Sequence, residues 1–179
     1  MNVTRLLTLA ALGGVGLMGG LFFAFGTAVM GSLERMPPGQ GATAMNLINV
    51  RIQNPVFLLV FVGTALICLA LAVLAFIRDN PGRWWLLAGA ALYLVGVMVL
   101  SFVVNIPLND KLAALDPNST AGAAEWLNYL ARWNPANDIR AAACLLAVIA
   151  FGLALHAGSG DQAGSAAAQY QASSQQPRY

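Results

Sequence analysis

The chain has 179 residues, of which 59% are hydrophobic and 9% charged, with a net charge of +2. Soluble domains carry about 25% charged residues, so this composition excludes an ordinary water-soluble enzyme and selects a bilayer as solvent. The small net charge and the lack of a Lys/Arg cluster exclude a nucleic-acid partner.

Four long apolar stretches dominate the sequence, at residues 6–30, 55–77, 84–104 and 139–155. Each approaches the ~20 apolar residues that cross a ~30 Å hydrocarbon core as a helix. Lipid offers the backbone no hydrogen bonds, and the stretches lack the period-2 alternation of barrel strands, so they are read as helices. The first stretch runs well past the apolar core of a signal peptide and is kept as a mature helix. The expected fold is an all-α membrane protein: four transmembrane helices in an up-down bundle over residues 1–156, with a short amphipathic helix in each of two long loops on one side. Residues 157–179, rich in Gly, Ala, Ser and Gln, are expected to form a disordered tail.

Span one carries a small-xxx-small pair, Gly16 and Gly20, with Gly13 and Gly19 nearby. Such a face admits a close helix neighbour. Packing inside the bundle is the first reading, and an oligomer seam through Gly16/Gly20 is the other. Met36-Pro37-Pro38-Gly39 breaks the chain. Residues 42–53 are then helical again, with Asn46, Asn49 and Gln53 on one face and Met45, Ile48 and Ile52 on another. Asn54-Pro55 predicts a capped helix start. Arg78-Asp79-Asn80-Pro81-Gly82-Arg83 is a tight polar hairpin, and Trp84-Trp85 after it fits an interfacial belt. Span three is expected to end at Asn105-Ile106-Pro107-Leu108-Asn109. A short helix over 123–133 follows, with Trp126, Tyr129 and Trp133 on one face, and Asn134-Pro135 predicts the start of span four. The two arginines of the short hairpin orient it, and both termini, towards the cytoplasm of a multi-pass cell-membrane protein.

The informative polar residues gather where these segments end. They are Asn46, Asn49, Arg51 and Asn54 before span two, Asn105, Asn109 and Asp110 after span three, and Trp126, Trp133, Asn134, Asn137, Asp138 and Arg140 around the start of span four. Alternating helices bring all three groups to one end of the bundle. Arg140 is the sharpest of them, because an arginine inside a span costs ~2–3 kcal/mol or more unless it is paired or snorkels. It is either an anion or oxyanion donor, or a snorkelling arginine paired with Asp138 or Asp110. Asn105 and Asn109 either aim donors into a cavity or satisfy backbone groups freed by Pro107. The Trp126/Tyr129/Trp133 stripe either stacks a flat ligand or anchors an interfacial helix. Cys68, Cys144 and His156 make no zinc set, no acid lies mid-span as a proton-coupled transporter needs, and no cofactor is expected.

At these clusters the chain resembles the anthrone oxygenase-like integral membrane family. The resemblance rests on Gly20-Leu21-Phe22-Phe23-Ala24-Phe25, Met45-Asn46-Leu47-Ile48-Asn49, Asn54-Pro55-Val56-Phe57, Asn105-Ile106-Pro107-Leu108-Asn109-Asp110, and Trp133-Asn134 through Ile139-Arg140. It covers roughly residues 15–155. It implies a four-helix membrane bundle with two long loops on one side, and some fungal relatives oxidise anthrones to anthraquinones with molecular oxygen. The histidine that often precedes the last Ile/Leu-Arg pair is missing here.

Two functions follow as expectations. One is a small membrane oxygenase of a flat, apolar, anthrone-like molecule, free of cofactors. Asp110 or Asp138 would act as base, Arg140, Asn105 and Asn109 would stabilise the oxyanion, Trp126 and Trp133 would stack the rings, and Asn46, Asn49 and Asn137 would line the substrate site. The other is a non-catalytic ligand-binding or assembly subunit, which needs only the glycine face, the aromatic anchors and a capped loop. A passage from lipid to the Asn/Arg cluster favours the first, and a solidly packed outer end favours the second.

Overall fold

The computed structural model describes residues 3–174, with side chains to Gly158. Among the described residues there is no strand, and five helices follow one another. They are α1 (Val3–Glu34), α2 (Pro38–Ile52), α3 (Pro55–Ile77), α4 (Arg83–Ala113) and α5 (Thr120–Ser174). Among the described residues four, α1, α3, α4 and α5, are long and apolar enough to cross a membrane. Their outward faces carry large apolar side chains, Leu59 74% and Phe76 76% exposed among them. A surface of that kind belongs against lipid rather than water. The protein is a multi-pass membrane protein.

α1 and α4 each pack on both α3 and α5, which closes a four-helix ring. α2 lies outside the ring and packs on α5 and on the C-terminal ends of α1 and α4. Two apolar cores result. The larger fills the ring, around Val15, Cys68, Leu71, Tyr93, Ala147 and Phe151. The smaller lies under α2, where Met45 meets Met30, Leu112, Trp126 and Tyr129. Gly41 is required there, because a Cβ would stand 2.7 Å from the Leu33 carbonyl oxygen and 3.0 Å from the Trp126 ring.

Local sequence explains the helix starts. Asn54 Oδ1 accepts from the backbone N–H groups of Val56 and Phe57, both at 3.1 Å, and Pro55 opens α3. In the hairpin, the Gly82 N–H donates to Asn80 Oδ1 at 2.8 Å. Trp84 and Trp85 face outward beside it, with Arg83 over the Trp84 ring at 4.8 Å.

Three expectations are corrected. The segment over 123–133 is not a separate helix, since α5 is continuous and holds Pro135 in its interior. A proline there removes one backbone donor, a loss that membrane helices tolerate when a neighbour supplies a partner. The Asn105 amide of α4 packs within one turn of it, donating to the Trp133 carbonyl at 3.4 Å. Span three does not end at Asn105-Pro107 either. α4 runs on to Ala113, because the wider π-helical turn Ser101–Asn105 has already left the i→i−4 ladder where the proline would break it. Lastly, the Gly16/Gly20 pair does not pack inside the bundle: a Cβ on either would meet nothing within 4 Å, whereas Gly19 faces Cys144. The expected mobile tail, 157–179, falls mostly outside the described side chains, and its backbone is helical to Ser174.

Candidate functional site

A cavity of about 270 Å³ lies where the two cores meet. Its floor is the C-terminal part of α1, with Phe22 and Phe25. Trp133, Asn137 and Arg140 of α5 form the back wall. Phe57 and Phe61 of α3 face Ser101 and Asn105 of α4 across it, and Asn49 of α2 with Asn109 closes the top. Such a volume is close to the lower end of the ~300–1,000 Å³ range of small-molecule sites.

Arg140 dominates the electrostatics. It is 7% exposed, so it does not snorkel, and among the described residues no carboxylate lies within ion-pair distance of it. Its guanidinium donates to Ser101 Oγ and to Asn137 Oδ1, both at 3.2 Å. It also stands over the Phe22 ring at 4.3 Å and the Trp133 ring at 5.2 Å. Two charge-assisted hydrogen bonds and two ring contacts offset part of the ~2.5–3.5 kcal/mol insertion cost of a membrane arginine. The alternative of pairing with Asp110 or Asp138 is thereby overturned. The positive charge stays uncompensated beside the cavity.

Asn137 fixes this arrangement. It is fully buried, and its Nδ2 donates to the Phe22 carbonyl at 2.9 Å while Oδ1 receives Arg140. One side chain thus ties α1 to α5 and holds the guanidinium. Tyr129 does the same at the top, where its hydroxyl donates to Asn109 Oδ1 at 2.8 Å and lies against the Asn49 amide.

Four groups in the cavity wall are buried without a full hydrogen bond: Asn49 Nδ2, Asn105 Oδ1, Trp133 Nε1 and Arg140 Nε. Three of the four are donors. Buried polar groups in folded proteins are almost always paired, so a cluster of orphans around one cavity is what a ligand-binding wall looks like before water or a ligand completes it.

The structure therefore brings Arg140, Asn105, Asn109, Asp110, Asn49, Trp133 and Asn137 to one cavity. It leaves three expected residues outside. Asp138 is exposed and packs against Gly26 of α1, where a Cβ would come within 2.6 Å of its Oδ1. Asn46 is half-buried on α2, away from the cavity wall. Trp126 is buried in a stack with Tyr129 (centroids 5.6 Å apart, 15° between planes), which stacks in turn on Trp133 (5.8 Å, 18°). The aromatic stripe is thus core, and only its last ring meets the cavity. Ser101 and Phe22, the partners of Arg140, were not expected from sequence. Ser101 had a signal, as the only serine or threonine in α4 and one turn before Asn105.

The fold and the site together define a class: a small multi-pass membrane protein with a buried, cation-backed cavity inside a four-helix ring. A family model described as anthrone oxygenase matches residues 57–150, more than half of the chain. The chain belongs to the anthrone oxygenase family. The matched stretch holds every cavity residue of α3, α4 and α5 and none of α1 or α2. No curated protein and no solved structure matches the chain.

Proposed function

We propose that this protein oxidises a flat, apolar, anthrone-like molecule of the membrane to the corresponding quinone with molecular oxygen, using protein groups alone. The observation that carries this reading is the cluster of incompletely paired buried groups, three of them donors, around an Arg140 with no carboxylate partner among the described residues. An anthrone loses a proton from the methylene opposite its carbonyl, and the negative charge then rests on the carbonyl oxygen. Donors fixed in a low-dielectric site stabilise such an oxyanion strongly, and Arg140, with Asn49 and Trp133 beside it, is that donor set.

Asp110, at the cavity rim, is the base in this scheme. The anion gives an electron pair to oxygen, a C–O bond forms at the former methylene, and Asp110 returns the proton to give a hydroperoxide. Loss of the second methylene hydrogen as a proton breaks the O–O bond, leaves the second carbonyl and releases water. The balance is one CH₂ and one O₂ to one C=O and one H₂O. Trp133 and Phe22 offer ring faces for the substrate.

Both termini and the Arg78–Arg83 hairpin face the cytoplasm in this reading, supported by the two arginines at the hairpin. The unfilled Gly16/Gly20 face supports an oligomer contact there.

The test is oxygen uptake by the purified protein with anthrone, after metal chelation. Quinone formation with one oxygen consumed per quinone is expected. Binding without oxygen uptake would make the protein a non-catalytic ligand-binding module, and uptake that vanishes with chelator would break the scheme of protein groups alone.

A further inference from the structure

α3 and α4 are joined at Tyr93 and part beyond it. The Tyr93 hydroxyl donates to the Phe61 carbonyl at 3.0 Å, and the first half of α4 packs along α3. Past that bond the π-helical turn Ser101–Asn105 packs on α5 instead. The gap left between α3 and α4 has four side chains at its edges. Leu58 and Val62 stand on α3, and Phe102 and Ile106 on α4. They are 45%, 42%, 58% and 37% exposed on the lipid-facing surface, yet all four also line the cavity that Arg140 lines.

We propose that this gap is a lateral doorway: a flat apolar molecule with one ionisable oxygen enters it from the lipid phase in neutral form and ionises only beside Arg140. The ligand class rests on the function proposed above. The route rests on the geometry. Each apolar CH₂ contributes ~0.8 kcal/mol towards partition out of water, so a multi-ring molecule is concentrated in the bilayer. An apolar frame passes such a molecule without desolvation. It rejects an ion, which would have to shed its hydration shell before reaching the arginine. Entry from water instead would pass Gln53 and Asp110 at the polar rim, where the carboxylate repels an anion.

The experiment uses the full chain in liposomes and 1-hydroxyanthraquinone as probe, a flat phenol that is already oxidised. Tryptophan quenching is followed by stopped flow in a Trp84→Phe/Trp85→Phe background, which removes the two outward-facing indoles and leaves buried Trp126 and Trp133. The binding rate should follow the amount of probe per lipid, not its aqueous concentration. Val62→Phe with Ile106→Phe should slow both entry and exit by ~10-fold or more. Leu58→Phe, a milder narrowing, should slow both in the same direction, and Gln53→Phe at the aqueous rim should change neither. A rate that tracks the aqueous concentration, slowing by Gln53→Phe alone, or no binding to the wild-type protein would each overturn the doorway. The two proposals fail separately. Doorway kinetics without oxygen uptake from anthrone sinks the oxygenase and keeps the route. Oxygen uptake with unaltered kinetics in the doorway variants sinks the route and keeps the oxygenase.

Discussion

A double-mutant cycle of Arg140 and Ser101 reads the contact that joins α5 to α4 behind the cavity. The guanidinium donates to Ser101 Oγ at 3.2 Å. Hydrogen bonds to charged groups are worth ~1.5–3 kcal/mol in soluble proteins, but side-chain hydrogen bonds between membrane helices average only ~0.6, with a maximum near 1.7 kcal/mol. The charge raises this bond above that average, and its length, at the long end of the N–H···O range, lowers it. The coupling expected is therefore ~1 kcal/mol. Arg140→Met alone combines opposing effects. It strips donors from Ser101 and Asn137, at ~1–3 kcal/mol each, and removes a buried cation that costs ~2.5–3.5 kcal/mol to insert. A net loss of only ~1–2 kcal/mol should remain. Ser101→Ala should then be neutral or stabilising in the Arg140→Met background, because it removes the orphaned hydroxyl. Reversible unfolding in mixed micelles, wild type against the three variants, measures this; ~1 kcal/mol moves Tm by ~2–4 °C in a chain of this size. Ser101→Ala costing the same in both backgrounds, within ~0.3 kcal/mol, would refute the contact.

Glycine substitutions separate packed from open faces. Gly89→Ala puts a Cβ 2.7 Å from the Phe151 ring and should destabilise by ~1–3 kcal/mol in the same unfolding assay, whereas Gly16→Ala should be neutral or gain up to ~1 kcal/mol. Tyr93→Phe deletes the hydroxyl that donates from α4 to the Phe61 carbonyl of α3 and leaves the ring in place; thermal unfolding should show a loss of ~0.6–1.5 kcal/mol. Topology is checked with an impermeant thiol reagent on intact cells, since both native cysteines are buried. A cysteine at Asn118 should label and one at Asn80 should not; the reverse pattern would invert the orientation.

The spans were legible because lipid imposes a coarse rule, apolar residues without charge for a full crossing, and that rule survives any detail of packing. The Asn54-Pro55 start was legible for the same reason: its cap is satisfied within four residues. Asn134-Pro135 carries the same dipeptide, yet α5 passes through it, with Asn105 of α4 donating to Trp133 there, 28 residues away in sequence. Membership of Arg140, Asn105, Asn109 and Asn137 in one site followed from alternating helices. The direction of each side chain did not. Asp138 directly follows Asn137, but one residue on a helix turns it by about 100°, out of the cavity and onto Gly26. The role of Ser101 was not legible, since a hydroxyl in an apolar helix commonly bonds its own backbone. Here a π-helical turn aims it at the arginine instead.

Isotopic oxygen tests the central claim most directly. Anthrone is supplied to the purified protein under ¹⁸O₂ in unlabelled water, and the quinone is analysed by mass spectrometry. The account predicts one ¹⁸O per quinone, at the former methylene, formed at a rate that falls by ~10²-fold or more in Arg140→Met. Quinone carrying oxygen from water alone, or labelled quinone formed as fast by Arg140→Met as by the wild type, would contradict it.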